Sequence, residues 1–441
     1  MRGLFADINF NRKEKIFFVS IFGFSLMQLV YFIMQNSTVN YYDEVRYIEI
    51  STNILHNGLF NIADNLRTYL YPLLMSCFFI FTDGDFTKWK IIFSLFQYII
   101  YILTIFLMAK TAYQYNKTKL VYFSVLFLGL MNPYLIQATT LFLTDIIATC
   151  VVTVSLIYLL TSDLNKWKNG VIVSILLYCS VLIRPSSAIF MAIFLIIGAY
   201  RLIKIKDFKP VKFVIVGLFC LLLFFPQLYM NIKQFNHFTP LIHLNLFEQQ
   251  SVWATQYLKY GTVTIGGEQP SLYFLSPWYE ETAMSIFQLA WNNFFEFLFI
   301  FCAHIFGMLD WGYIDTYIKD LDVTSKITPA ILLFINWFFI GVGVVALKKQ
   351  RKHDFGTISL IFAAFGYTLF MATTAIESRF GYPIYLILLI FAGLGIQNIF
   401  ENIRRKKFVI IISASLLVSV CASLFISYLI DSQTNRIFWV F

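Results

Sequence analysis

The chain has 441 residues, of which 59% are hydrophobic and only 13% are charged, and its mean hydropathy is +0.72. A soluble domain has roughly 45–50% apolar and about 25% charged residues, so charge this sparse cannot cover a water-exposed surface. The net charge of +9 does not indicate nucleic-acid binding, because the basic residues cluster in short connections between apolar segments.

These apolar segments predict an all-α polytopic membrane protein. A membrane span needs roughly 20 apolar residues, and eleven segments meet or approach that length. The predicted spans are residues 16–34, 91–110, 119–132, 145–161, 170–183, 186–200, 211–230, 328–347, 356–373, 381–399 and 408–429. The basic residues that lead directly into the first span predict a retained anchor rather than a cleaved signal peptide.

The connections between spans differ in charge, and basic connections are expected in the cytoplasm. This places the N-terminus inside and the C-terminus outside. The outer connections are then 35–90, 133–144, 231–327 and 374–380. We predict a transmembrane module over 1–230 with its first outer loop at 35–90, an outer loop region at 231–327, and C-terminal spans over 328–441.

Two further apolar segments, 69–81 and 291–309, are short or interrupted by polar residues. We interpret both as juxtamembrane helices that lie on the outer membrane surface with their apolar face down. For 291–309 a membrane hairpin remains an alternative.

Charged residues gather at the outer ends of the predicted spans. A charge at membrane depth costs roughly 2.5–3.5 kcal/mol on insertion scales, so it usually has a partner or a function. Each residue also has a simpler explanation: Asp145 as a carboxylate at a helix N-terminus, Arg184 as an arginine reaching for head groups, Arg379 as a partner of Glu377. Arg67 could merely contact lipid phosphate.

Taken together, these charges indicate a site for an anionic, lipid-linked substrate. Arginine binds phosphate oxygens in a planar fork, and a carboxylate can accept the proton of an attacking hydroxyl. The residues that carry this prediction are Asp43, Glu44, Arg67, Asp145, Arg184, Glu377 and Arg379.

Several of these residues also carry a resemblance to a known family. Residues 43–60, which open on Asp43-Glu44, resemble the first outer loop of GT-C glycosyltransferases, in particular the branch of protein O-mannosyltransferases and the lipid A aminoarabinose transferase. The segment Arg67-Thr-Tyr-Leu-Tyr-Pro resembles a second element of that loop, although Thr68 and Tyr69 stand where prolines are common. Asp145 resembles the second acidic residue of the family, and Glu377-Ser-Arg379-Phe-Gly-Tyr-Pro resembles its Glu-x-Arg-Tyr-x-x-Pro segment.

The resemblance implies a GT-C-like bundle that transfers a sugar from a polyprenyl-phosphate donor on the outer face. Asp43 would be the general base, while Glu44 and Asp145 orient the acceptor or the sugar. Arg67, Arg184 or Arg379 would bind the donor phosphate, and the remaining site positions are assigned a supporting role. These are Tyr47, Tyr71, Glu377 and Tyr382. The resemblance implies no certain cofactor and leaves open a divalent cation between Asp43 and Asp145.

The expected partners are the lipid-linked sugar, membrane lipids, and a glycan, lipid or protein acceptor. The resemblance implies, as one acceptor, a bacterial O-antigen or another surface glycan at the periplasmic face of the inner membrane, as for serotype-modifying glucosyltransferases of this general size. Two other functions remain as alternatives: a transporter or flippase of lipid-linked sugars, and a glycan polymerase or ligase that uses diphosphate-linked donors.

Overall fold

The computed structural model describes residues 10–432 except Ala63, Asn165, Leu244 and residues 204–209, 263–270, 279–283, 312–322 and 350–354. Part of the loop region 231–327 therefore lies outside the described residues. The described α-helices are α1 (Arg12–Asn36), α2 (Tyr42–Asn57), α3 (Leu70–Phe79), α4 (Phe86–Asn116), α5 (Lys119–Leu130), α6 (Pro133–Ala138), α7 (Asp145–Thr161), α8 (Trp167–Ile183), α9 (Ala188–Ile203), α10 (Pro210–Cys220), α11 (Phe225–Phe235), α12 (Leu246–Gln256), α13 (Ile286–Asn292), α14 (Phe294–Leu309), α15 (Val323–Lys349), α16 (Phe355–Met371), α17 (Tyr382–Asn402) and α18 (Lys406–Asp431).

Seven helical segments among the described residues are long and apolar enough to cross a membrane, and each coincides with a predicted span. They are Arg12–Asn36, Phe86–Asn116, Pro185–Ile203, Ile215–Phe235, Thr328–Lys348, Ser378–Asn402 and Lys406–Ile430. The other four predicted spans fall on the shorter apolar helices α5, α7, α8 and α16. The all-helical membrane class is confirmed, while the count of eleven spans stays a prediction.

The two predicted surface segments are also helical. Helix α3 covers most of 69–81, and α14 covers most of 291–309; both are apolar but shorter than a full span. Their position on the membrane surface stays a prediction.

A small β-hairpin, which the sequence analysis did not predict, interrupts the helical architecture. Strands β1 (Tyr257–Thr262) and β2 (Ser271–Leu275) pair antiparallel with Tyr260 opposite Tyr273. Leu258 and Phe274 of the hairpin pack with buried residues of α13 and α14 in one apolar cluster. The same cluster includes Ile430 of α18, and the amide of Tyr260 donates to the carbonyl of Ile376 at 2.7 Å, so the hairpin is held by residues both inside and outside the loop region.

The chain divides into two compact units. One comprises Met1–Thr111, Gly129–Leu244 and Phe355–Ala363, and the other comprises Ala112–Leu128, Asn245–Asp354 and Ala364–Phe441. The division into 1–230, 231–327 and 328–441 stays a prediction.

In the first unit, hydrogen bonds fix the start of α2. The amide of Tyr41 donates to the Glu44 carboxylate at 2.8 Å, and this satisfies a backbone donor ahead of the first turn. The Tyr41 hydroxyl donates to Asn36 at 2.8 Å, and the Asn36 amide donates to Thr140 at 2.8 Å. Asp43 and Glu44 therefore lie in the first turn of α2, where the helix dipole favours carboxylates.

The connection before α3 is fixed against α8 and α11 of the same unit. The Thr68 hydroxyl donates to the carbonyl of Leu182 at 2.6 Å, and the Tyr69 amide donates to the Gln227 side chain at 2.9 Å. Since Arg67 precedes Thr68 and Arg184 follows the last turn of α8, these bonds bring the two arginines into one region.

Candidate active site

The two carboxylates of the acidic pair have different environments. The Asp43 side chain is 25% exposed and its Oδ1 lies 3.2 Å from Nη2 of Arg67. The Glu44 side chain is 0% exposed, and its carboxylate accepts hydrogen bonds from the Tyr41 amide, the Lys90 ammonium and the Phe142 amide. Of the pair, Asp43 is therefore the carboxylate that a substrate can reach.

Arg67 is oriented by a third carboxylate, that of Asp64, which the sequence analysis did not single out. Asp64 Oδ1 accepts hydrogen bonds from the amides of Leu66 and Arg67 at 2.8 and 2.7 Å. Its Oδ2 accepts from Nε of Arg46 at 2.7 Å and lies 3.9 Å from Nη1 of Arg67. Asp64 thus fixes the backbone turn that presents Arg67 to Asp43.

Asp145 and Arg184 form the second ion pair of the site. Asp145 is the first residue of α7, and Arg184 directly follows α8. Because only a short connection joins the end of α7 to the start of α8, the two helices run antiparallel, and the start of α7 lies beside the end of α8. The Arg184 Nε also donates to the Ser186 hydroxyl at 3.0 Å. Asp145 is buried and Arg184 is partly exposed, which leaves the guanidinium as the reachable member of this pair.

Tyr47 lies between the two ion pairs. The Arg67 guanidinium lies over its ring at 5.1 Å, the Tyr71 ring packs edge-on at 5.2 Å, and its hydroxyl shares a hydrogen bond with Thr144, the neighbour of Asp145. Burial raises the pKa of the Tyr47 phenol above its ordinary value of 10.0, partly offset by the charge of Arg67. Tyr47 therefore lies in the candidate site as a neutral phenol, with Tyr71 packed against its ring. The supporting role of both tyrosines stays a prediction.

Removing the Tyr47 hydroxyl tests this bridging contact. We expect Tyr47→Phe to lower kcat for sugar transfer about fivefold, because one neutral hydrogen bond is worth about 1 kcal/mol while the ring packing is kept. Since the pKa of Tyr47 lies above 10.0, the shape of the pH–rate profile up to that pH should not change. An altered basic limb in Tyr47→Phe would contradict the neutral role.

Replacement of Asp64 tests the support of Arg67. Asp64→Asn keeps an acceptor for the two amides but removes the charge that faces Arg46 and Arg67. We expect a loss of about 2 kcal/mol in the free energy of unfolding, because hydrogen bonds to charged groups are worth roughly 1.5–3 kcal/mol. Thermal unfolding measures this loss.

The control for that variant is Glu49→Gln. The Glu49 carboxylate lies 2.8 Å from Nη1 of Arg46, and its side chain is 55% exposed. An exposed pair contributes only about 0.5 kcal/mol. If both variants lowered the free energy of unfolding equally, the result would contradict the role of Asp64 in supporting Arg67.

The remaining predicted residues belong to the second unit. Arg379 forms a two-pronged ion pair with Glu377, with Nε 2.8 Å and Nη2 3.0 Å from the two carboxylate oxygens. Tyr382 is buried edge-on against Trp311 at 4.9 Å. Between them, Gly381 lies so close to the carbonyl of Met308 that a Cβ would stand 1.9 Å from its oxygen, so this segment requires glycine. That Glu377 and Arg379 belong to the same site as Asp43 stays a prediction.

The donor set around Asp43 and Asp145 does not fit a divalent cation. Each of the two carboxylates faces an arginine, and a bound cation would have to displace both. In the part of the chain that the structure describes, no group of three or more acidic, histidine or cysteine side chains could hold a metal ion.

No family model matches this sequence, and no curated protein does. Among solved structures, the fold is similar to the oligosaccharyltransferase of Archaeoglobus fulgidus, with a TM-score of 0.52, 15% identity, and coverage of 94% of this chain and 55% of that chain. The same enzyme solved with an inhibitory peptide and a dolichol-phosphate matches with a TM-score of 0.50, 13% identity, and coverage of 96% and 56%.

The ArnT protein from Cupriavidus metallidurans bound to undecaprenyl phosphate also matches, with a TM-score of 0.49, 13% identity, and coverage of 86% of this chain and 60% of that chain. The likeness to the oligosaccharyltransferase shows that the two chains share a fold, in agreement with the helical bundle that the sequence resemblance implied. The chain spans a little over half the length of that enzyme.

Proposed function

We propose that this protein is a membrane glycosyltransferase that transfers a monosaccharide from a polyprenyl-phosphate donor to an acceptor hydroxyl. The observation that carries the proposal is the reachable Asp43 carboxylate, held 3.2 Å from Arg67 in a GT-C fold. A base for the acceptor and a cation for the leaving phosphate then stand side by side. The oligosaccharyltransferase with bound dolichol-phosphate supports a lipid phosphate as one part of the donor.

The proposed reaction is a single displacement. Asp43 takes the proton of the acceptor hydroxyl as its oxygen bonds to the anomeric carbon of the sugar. The bond from that carbon to the phosphate oxygen breaks, its electron pair stays on the phosphate, and the anomeric centre inverts. Polyprenyl phosphate then leaves as an anion that needs a cation rather than a proton.

Arg67 and Arg184 are the groups proposed to bind that phosphate. Both guanidinium groups are partly exposed and each already contacts a carboxylate. A phosphate that engages Arg67 would release Asp43 from its ion pair at the moment when a base is needed. Asp145 would hold Arg184, and Arg379 of the second unit stays a further proposed phosphate ligand.

We also propose where the reaction occurs. The basic connections predict that the first outer loop faces away from the cytoplasm, which corresponds to the periplasmic face of a bacterial inner membrane. A surface glycan such as O-antigen is the proposed acceptor, and a lipid or a protein is an alternative.

The proposal is tested with purified protein in proteoliposomes. The protein is given undecaprenyl-phosphate hexoses or, in parallel, undecaprenyl-diphosphate-linked oligosaccharides, and products are identified by mass. We expect a new glycosidic bond and free undecaprenyl phosphate from a monophosphate donor. Sugar translocation without a new bond would instead support a flippase, and turnover of only the diphosphate donor would support a polymerase or ligase.

A further inference from the structure

Glu44 and Lys90 form a buried ion pair beside the proposed base. The Lys90 Nζ lies 2.9 Å from Glu44 Oε2, and the two side chains are 1% and 0% exposed. The Lys90 Nζ also donates to the carbonyl of Val39 and lies over the rings of Tyr41 and Phe142 at 5.6 and 5.5 Å. All of these contacts are within the first unit.

The pair connects three separate segments of that unit. Glu44 lies in the first turn of α2, next to Asp43, and Lys90 lies near the start of α4. The second Glu44 oxygen accepts a hydrogen bond from the backbone amide of Phe142. Phe142 lies in the connection that leads into α7, two residues before Thr144 and three before Asp145. One carboxylate therefore ties the Asp43 helix to the segment that carries Asp145.

This arrangement leaves Glu44 no role in proton transfer. Its Oε2 accepts from the Tyr41 amide and from Lys90, its Oε1 accepts from Phe142, and none of its surface is exposed. A base must lie within hydrogen-bond reach of the proton it abstracts. Asp43, one residue away, is partly exposed.

We infer that Glu44 and Lys90 are positioning residues, which set the distance and orientation of Asp43 relative to Asp145. The inference rests on the proposed function and narrows the role that the resemblance implied for Glu44. Removal of one partner leaves the other as an uncompensated buried charge, whereas removal of both partners leaves no buried charge. A single variant should therefore be more disruptive than the double variant.

The test uses Lys90→Met, Glu44→Gln and the double variant in the full-length protein, with undecaprenyl-phosphate glucose as donor. We expect Lys90→Met to lower kcat about 100-fold, as for a misplaced reacting group, and to leave KM for the donor nearly unchanged. The kcat of the double variant should be about tenfold higher than that of Lys90→Met, since no buried charge is left unpaired. Lys88→Met is the matched control, because Lys88 is exposed on the same helix and pairs with the exposed Asp85. This variant should keep wild-type kcat.

A second readout does not depend on activity. Hydrogen–deuterium exchange of the Phe142 amide should be faster in Lys90→Met than in the wild type. In the double variant, this exchange should be slower than in Lys90→Met. This measurement remains informative if no donor is turned over, so failure of the positioning role is distinguishable from failure of the proposed glycosyltransferase activity.

Wild-type kcat and unchanged Phe142 exchange in Lys90→Met would overturn the inference. So would a double variant that is as inactive as Glu44→Gln alone, because a catalytic Glu44 could not be rescued by removal of Lys90. If Lys90→Met does not yield folded protein, the double variant decides: measurable transfer supports the positioning role, and loss of folded protein in both contradicts it.

Discussion

Replacing Asp43 by asparagine should lower sugar transfer about a thousandfold, because general-base catalysis contributes roughly 10²–10⁴-fold and an amide cannot accept the proton. Binding of undecaprenyl phosphate should be at least as tight as in the wild type, since Arg67 loses the carboxylate that lies 3.2 Å from it. The two quantities are measured separately, as kcat with a polyprenyl-phosphate hexose and as affinity for undecaprenyl phosphate alone.

The matched control for that variant is Asp85→Asn. Asp85 is an exposed carboxylate ahead of α4 that accepts a hydrogen bond from the Lys88 amide, and asparagine can serve as the same helix cap. Transfer by Asp85→Asn should equal that of the wild type. Substantial transfer by Asp43→Asn would remove Asp43 as the base.

Replacing Arg67 by alanine should weaken the affinity for undecaprenyl phosphate about 30-fold, because a hydrogen bond to a charged group is worth roughly 1.5–3 kcal/mol. Arg67→Lys should give an intermediate loss, since lysine keeps the charge but not the planar fork. Equilibrium binding of undecaprenyl phosphate at low and high salt measures both variants, and the wild-type advantage should shrink as salt rises.

A double variant separates Arg67 from its partner. If Asp43 and the phosphate compete for Arg67, Asp43→Asn should tighten binding only while Arg67 is present, and Asp43→Asn/Arg67→Ala should bind like Arg67→Ala. Unchanged phosphate affinity in Arg67→Ala would contradict its assignment as a phosphate ligand.

Much of this site could be predicted from the sequence because charges are rare in an apolar chain. Asp43, Arg67, Asp145 and Arg184 each lie next to the end of an apolar segment, and the structure brings all four into the first unit. Their pairing could not be predicted, since it depends on how α2, α7 and α8 pack. Hydropathy gives the segments and their ends but not the contacts between them.

Lys90 and Asp64 were missed for different reasons. Lys90 lies at the outer end of a predicted span, where the distribution of basic residues disfavours lysine, and this is the one signal that could have revealed a buried partner. Asp64 is one acidic residue among several in a polar loop, and only its hydrogen bonds to the amides of Leu66 and Arg67 distinguish it.

The span boundaries show the same limits. The predicted span 211–230 corresponds to the helical segment Ile215–Phe235, whose bounds differ at both ends. Inside it, α10 is followed by a short 3-10 segment at Leu221–Phe224 and then by α11, in which Pro226 lies in the first turn. Proline lacks the amide that would continue the preceding helix. The hairpin of β1 and β2 was missed because its two short strands lie in a long polar loop between predicted spans.

The anomeric configuration of the product tests the central claim most directly. Purified protein is given an undecaprenyl-phosphate hexose of known anomeric configuration, and the new glycosidic bond is assigned by NMR. Single displacement with Asp43 as base predicts a product whose anomeric centre is inverted relative to the donor. A retained configuration, or the absence of a new glycosidic bond with every polyprenyl-phosphate hexose, would contradict the account.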